Sequence, residues 1–176
     1  MTPMSLTLVT LTNVSLSLAA DVASPPAPAW LPVAILCAFL VIFPIFWMAV
    51  CRLLAVFGWS SLADRYRFDG TFPQGGEYFG ATSLSIAGRL RWLPVNYNGV
   101  VVITIQPDAL YIRVWRLFAF GHPPIKLPWA AIEGIDTTTI LFMKMHVLTI
   151  RGCDKTLLLR GKLATSIVSA WQRYRR

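Results

Sequence analysis

The sequence predicts one N-terminal transmembrane helix followed by a mainly-β domain, a partly open antiparallel barrel of about six strands capped by a C-terminal α-helix. Three observations carry that expectation. Residues Trp30 to Cys51 form a run of twenty-two residues without a charge. At about 1.5 Å per residue, a helix of that length just covers a hydrocarbon core of about 30 Å. Beyond residue 79 the hydrophobic period falls to two, the mark of half-buried strands. At the C-terminus, Leu163, Ile167, Trp171 and Tyr174 recur at helical spacing.

The chain divides accordingly into an extracytoplasmic tail (1–29), a transmembrane helix (30–57), an interfacial helix and loop (58–78) and a cytoplasmic β domain (79–176). The tail is rich in Ser, Thr, Leu and Pro and lacks the basic start of a secretory signal. Ser24 to Pro28 reads as a stiff, extended linker. In the span, Pro32 lies in the first turn, where proline is tolerated, and Pro44 lies inside, where it kinks a helix unless neighbours compensate. Trp30 is expected at the outer interface, with Trp47 and Trp59 at the inner one. After Arg52, residues Trp59, Leu62 and Tyr66 mark one face of a short amphipathic helix, lying on the membrane or against the domain.

The strands come next, in order. Thr82–Ile86 alternates, and Val100–Ile105 is β-branched throughout. A turn at Gln106–Ala109 leads to a strand with Leu110, Ile112 and Val114 on one face and Tyr111, Arg113 and Trp115 on the other. If Tyr111 and Trp115 face outward, they make an apolar patch. Gly121-His-Pro-Pro124 breaks the pattern. Ile125, Leu127 and Trp129 resume it, with Ile132 and Ile135 extending the same strand. Leu141–Ile150 and Leu157–Leu159 complete the set.

Charge is partitioned. The chain carries +8, yet no Lys or Arg precedes Arg52. From Arg52 onward sixteen basic residues face seven acidic ones, a net +9. Positive charge beside a span marks the cytoplasmic side, so the N-terminus is expected outside and the domain in the cytoplasm. Anionic headgroups are the obvious partner, each nearby Lys or Arg contributing about 1 kcal/mol.

Catalytic signatures are missing. The two histidines, His122 and His146, have no Cys or carboxylate partner nearby at metal-ligand spacing, and Cys37, Cys51 and Cys153 form no paired framework. No Walker loop, GxSxG elbow or HExxH occurs. His122 reads as a polar turn residue bonding to nearby backbone. The expectation is a non-enzyme with no cofactor, no metal, no small-molecule substrate and no nucleic-acid partner.

Six or so strands, a tryptophan in a mid-domain strand and a capping helix resemble pleckstrin-homology or GRAM-like domains. The stretch Ile125 to Ile132, with Pro128-Trp129 inside it, resembles a segment common in bacterial domains of that kind. Gly58-Trp59 through Arg67, taken with Gly121-His-Pro-Pro124, is also similar to a group of uncharacterised bacterial single-span membrane proteins. The resemblance covers residues 58 to 174. It implies seven strands, one more than the pattern shows, and an inner-membrane location. It also implies that the loop joining the first two strands, Gly88–Asn96, meets phosphates. Arg89 and Arg91 are therefore expected to contact lipid headgroups, Trp92 to dip into the interface, and Arg52 to snorkel beside them. Two functions are expected on these grounds: a membrane-anchored adaptor binding protein or anionic lipid, or an accessory subunit of a respiratory, photosynthetic or transport complex.

Overall fold

The computed structural model describes residues 28–88, 94–140 and 142–175. The chain forms two compact units that meet at Phe43 and Pro44. A single helix, α1 (Leu31–Leu54), runs through both. It is the one described helix long and apolar enough to cross a membrane, and it lies near the N-terminus. In the first unit its side chains are almost all exposed, from Val33 through Phe43, and the rings of Phe39 and Phe43 stack at 5.1 Å. So wide an apolar surface on a helix of this length is compatible with a membrane span.

In the second unit α1 continues without a break into a π-helical turn, Ala55–Trp59, and then α2, Ser60–Tyr66. Seven strands come after it: β1 (Glu77–Ala87), β2 (Val95–Ile105), β3 (Ala109–Val114), β4 (Ile125–Pro128), β5 (Ile132–Ile140), β6 (Met143–Ile150) and β7 (Thr156–Leu159). They form one antiparallel sheet in the order β4-β3-β2-β1-β7-β6-β5, curled into a half-barrel. The C-terminal helix α3 (Gly161–Tyr174) succeeds β7.

The curl originates in β1. Its register with β2 shifts on both sides of Thr82, and Ala81 has a positive φ of 51°. Such a bulge bends a strand and sharpens its twist. Bent there, β1 pairs with β2 along its length and with β7 at Ser85–Ala87. The interior is filled by Leu84, Ile86, Val101, Ile103, Leu110, Ile112, Ile125, Leu127, Leu148, Ile150 and Leu157, all at most 2% exposed. From α3, Leu163, Ala164, Ile167 and Ala170 pack on this core, while Trp171 and Tyr174 are half-buried at its rim.

Two expectations need correction. The sheet has seven strands rather than about six, because the run from Ile125 to Ile135 is two strands. A 3-10 turn at Trp129–Ala131 separates them, and Trp129 Nε1 donates to Gln106 O at 2.9 Å, turning that indole into the core. Tyr111 does not face solvent. Its ring meets those of Phe68 at 5.2 Å and Phe72 at 6.1 Å, so the loop after α2 covers the outer face of β3. The edge strand β4 is also capped there, through a bridge from Arg67 to Ile125.

Candidate functional site

Several long-range contacts converge where the helix enters the β domain. Within the second unit the helix is clasped at two levels. At the lower level Trp59 is fully buried, and its Nε1 donates to Pro123 O at 2.8 Å. Its ring meets Tyr97 at 5.6 Å and His122 at 5.4 Å, both edge-on. At the upper level Trp47 Nε1 donates to Leu117 O at 3.1 Å, and its ring lies 5.2 Å from Phe118. Both bonds reach the loop between β3 and β4, residues 115–124, so one loop grips the helix at points twelve residues apart.

The π-helical turn makes this fit possible. Ser60 N–H bonds to Ala55 O, five residues back, which widens the turn by one residue and re-aims Trp59. Gly58 lies in the turn because β2 passes close. A Cβ there would stand 3.1 Å from Val95 Cβ and 3.2 Å from Tyr97 Oη. On the loop side Gly121 has φ +76°, and a Cβ there would meet Ala55 Cβ at 3.2 Å and Arg52 Cα at 3.4 Å. Small residues on both partners therefore let the backbones approach.

Between the two levels lies a buried polar chain. Tyr97 Oη donates to Leu54 O at 3.1 Å, His122 Nε2 lies 3.2 Å from Tyr97 Oη, and His122 Nδ1 lies 2.9 Å from Phe120 O. Both ends of the chain are carbonyls, which only accept. Three contacts need three protons, whereas a neutral imidazole and one phenol supply two. His122 is only 3% exposed, and burial holds its pKa below the usual 6.5 despite the neighbouring carbonyls. Burial likewise pushes the Tyr97 phenol well up. The chain is therefore neutral and one proton short of satisfying all three contacts.

Below the clasp, α2 is bolted to the turn after β6. Arg65 Nη1 donates to Gly152 O at 3.0 Å and Tyr66 Oη to Arg151 O at 2.9 Å, while Leu62 and Ala63 are buried.

The residues expected at the membrane fall in different places. Arg52 is exposed, next to Gly121. Trp30 is 65% exposed at the start of α1, and Trp47 is half-buried against the loop. Trp59, expected at the inner interface, is instead a core residue of the domain, because Pro123 O and the rings of Tyr97 and His122 enclose its indole. Arg89, Arg91 and Trp92 lie outside the described residues. His122 bonds to nearby backbone as expected, but its contact with Tyr97, twenty-five residues away, had no sequence signal. Leu117 and Phe120, 69% and 56% exposed beside Trp115, were not anticipated either.

Elsewhere the most organised charges are Lys126 and Asp108, 2.8 Å apart, with Tyr111 Oη donating to the same carboxylate at 2.9 Å. The ammonium of Lys126 holds Asp108 below the usual carboxylate range, and Lys126 is itself pushed up to about 12. The pair is substantially exposed. An open cleft of about 420 Å³ lies between the end of β1 and α3, lined by Glu77, Gln106, Ser166, Arg173 and Tyr174, where Ser166 Oγ donates to Glu77 Oε1 at 2.7 Å. Among the described residues, no group of three or more His, Cys, Asp or Glu could hold a metal ion.

Comparison of the chain with protein-family models and with curated proteins gave no match.

Proposed function

We propose that this protein is a single-span membrane adaptor, non-catalytic, whose pleckstrin-homology-like cytoplasmic domain binds protein or anionic lipid headgroups at the inner membrane. The observation that carries the reading is the double clasp. With Trp59 buried and Trp47 bonded to Leu117, the C-terminal part of α1 is held by the β domain itself. The clasped stretch from Trp47 to Trp59 is part of the domain's own packing. Fixing a domain at the surface raises its effective concentration for surface ligands, so modest contacts suffice. The excess of basic residues after Arg52 favours an anionic surface and a cytoplasmic domain. Seven antiparallel strands followed by one helix support the resemblance to pleckstrin-homology domains.

A second reading, an accessory subunit of a larger membrane complex, is favoured by one feature. Phe142, at the β5–β6 hairpin tip, is fully exposed with φ 65°, beside half-exposed Met143. An apolar hairpin tip suits contact with a neighbour. Purification in mild detergent separates the two. A lone chain that sediments with anionic vesicles supports the adaptor, and a stoichiometric complex supports the subunit. A reporter fused after Arg176 and found outside the cytoplasm would overturn the orientation.

A further inference from the structure

We infer that the β3–β4 loop is a second membrane-contacting element, a wedge that inserts Trp115, Leu117 and Phe120 among lipids beside the helix. This rests on the reading of Leu31–Leu54 as a membrane span and adds a new surface to it. Depth is the first ground. Leu117 O is bonded to Trp47, which lies four residues inside the uncharged run ending at Cys51. Four residues of helix are about 6 Å of rise, so Leu117 stands about that far on the lipid side of the Cys51–Arg52 boundary. Gly121, four residues later, is back beside Arg52 and Ala55. The loop thus climbs along the helix and returns.

The side chains it carries fit that depth. Leu117 is 69% exposed, Phe120 56% and Trp115 47%. Three large apolar groups within six residues are a costly display to water, and the helix next to them displays Ile45, Phe46 and Leu53 in the same way. One environment satisfies both surfaces. Arg116 interrupts the loop, exposed, and with Arg52 it can carry its charge to the headgroups on a long stem. The indole of Trp115 is suited to the interfacial layer. Part of the loop's backbone is paired within the loop: Phe118 N–H bonds to Trp115 O at 2.8 Å, Ala119 N–H to Arg116 O at 3.3 Å and His122 N–H to Ala119 O at 2.9 Å. Each such bond lowers the cost of holding backbone close to hydrocarbon.

The test is photo-crosslinking of the full chain reconstituted in phosphatidylcholine–phosphatidylglycerol vesicles. p-Benzoylphenylalanine is placed singly at Phe39, Leu117 and Phe120, all more than half exposed, so the core is undisturbed. Lipid adducts at Phe39 and at both loop positions are expected. Adducts at Phe39 with none at Leu117 and Phe120 overturn the wedge and leave the span standing. Chain-to-chain adducts at the loop in place of lipid also overturn it, and assign the patch to self-association. Loss of lipid adducts at all three positions overturns the span and the wedge together.

Discussion

Trp30 and Trp59 flank the same apolar stretch, and their settings are opposite. Trp30 stands 65% exposed where α1 begins, whereas Trp59 is fully buried and bonded to Pro123 O. The same contrast separates the two ends of the helix. From Val33 to Phe43 almost every side chain is exposed, while Cys51, Ala55, Trp59, Leu62 and Ala63 are buried beneath the β domain. Both ends are rich in apolar residues, although the second also carries Arg52, Ser60 and Ser61. What differs is whether protein covers the helix or something else must. An apolar helix in contact with strands becomes part of a core, and one without protein cover is suited to lipid.

The largest test of this contrast is truncation of the two tryptophans. Trp59→Ala should cost about 3–5 kcal/mol of domain stability, since it removes a buried indole and strands Pro123 O. Trp30→Ala should stay within about 0.5 kcal/mol. Denaturant unfolding of the detergent-solubilised chain measures both, and equal effects would break the comparison. Next in size is Tyr97→Phe, which removes the hydroxyl between Leu54 O and His122. A loss of about 1–3 kcal/mol is expected from the orphaned carbonyl.

The His122 titration sharpens the same point. Its folded pKa lies below 6.5, so the unfolded chain takes up a proton first as the pH falls. Its contribution is intact above 6.5 and is lost as pH drops toward the folded value, with a slope of at most about 1.4 kcal/mol per pH unit. The difference in stability between wild type and His122→Asn, followed from neutral to acid pH, should narrow. A difference independent of pH would show that the imidazole is not held neutral by burial. The smallest effect is kinetic. Cys37 is exposed and Cys51 is 3% exposed on the same helix. In detergent, an apolar maleimide that partitions into the micelle should modify Cys37 faster than Cys51, which it reaches only as the domain opens. Equal rates would mean that the lower helix is not clasped.

Much of the fold was legible because periodicity reports burial directly. The uncharged run, the change to period two after residue 79 and the stripe through Leu163 and Ile167 each correspond to an observed element. The failures have a common cause. Alternation runs straight through Trp129 to Ile132, so nothing local shows that a tryptophan seeking Gln106 O splits the strand. Tyr111 alternates outward on β3, but Phe68 and Phe72 arrive from a distant loop and cover it. The site was less legible still. Its polar chain joins Leu54, Tyr97 and His122, which share no spacing. Its loop hides Leu117 and Phe120 among residues that read as an ordinary break.

By itself the sequence determined the apolar helix, the charge division at Arg52 and the β character of the chain beyond residue 79, because length, charge and period are local quantities. Only the tertiary structure decided that Trp59 belongs to the core, that the helix is gripped at two levels, and that one loop stands beside the apolar run. Those outcomes depend on which surfaces meet, and the same tryptophan is equally stable in an interface or a core until a partner such as Pro123 is within reach.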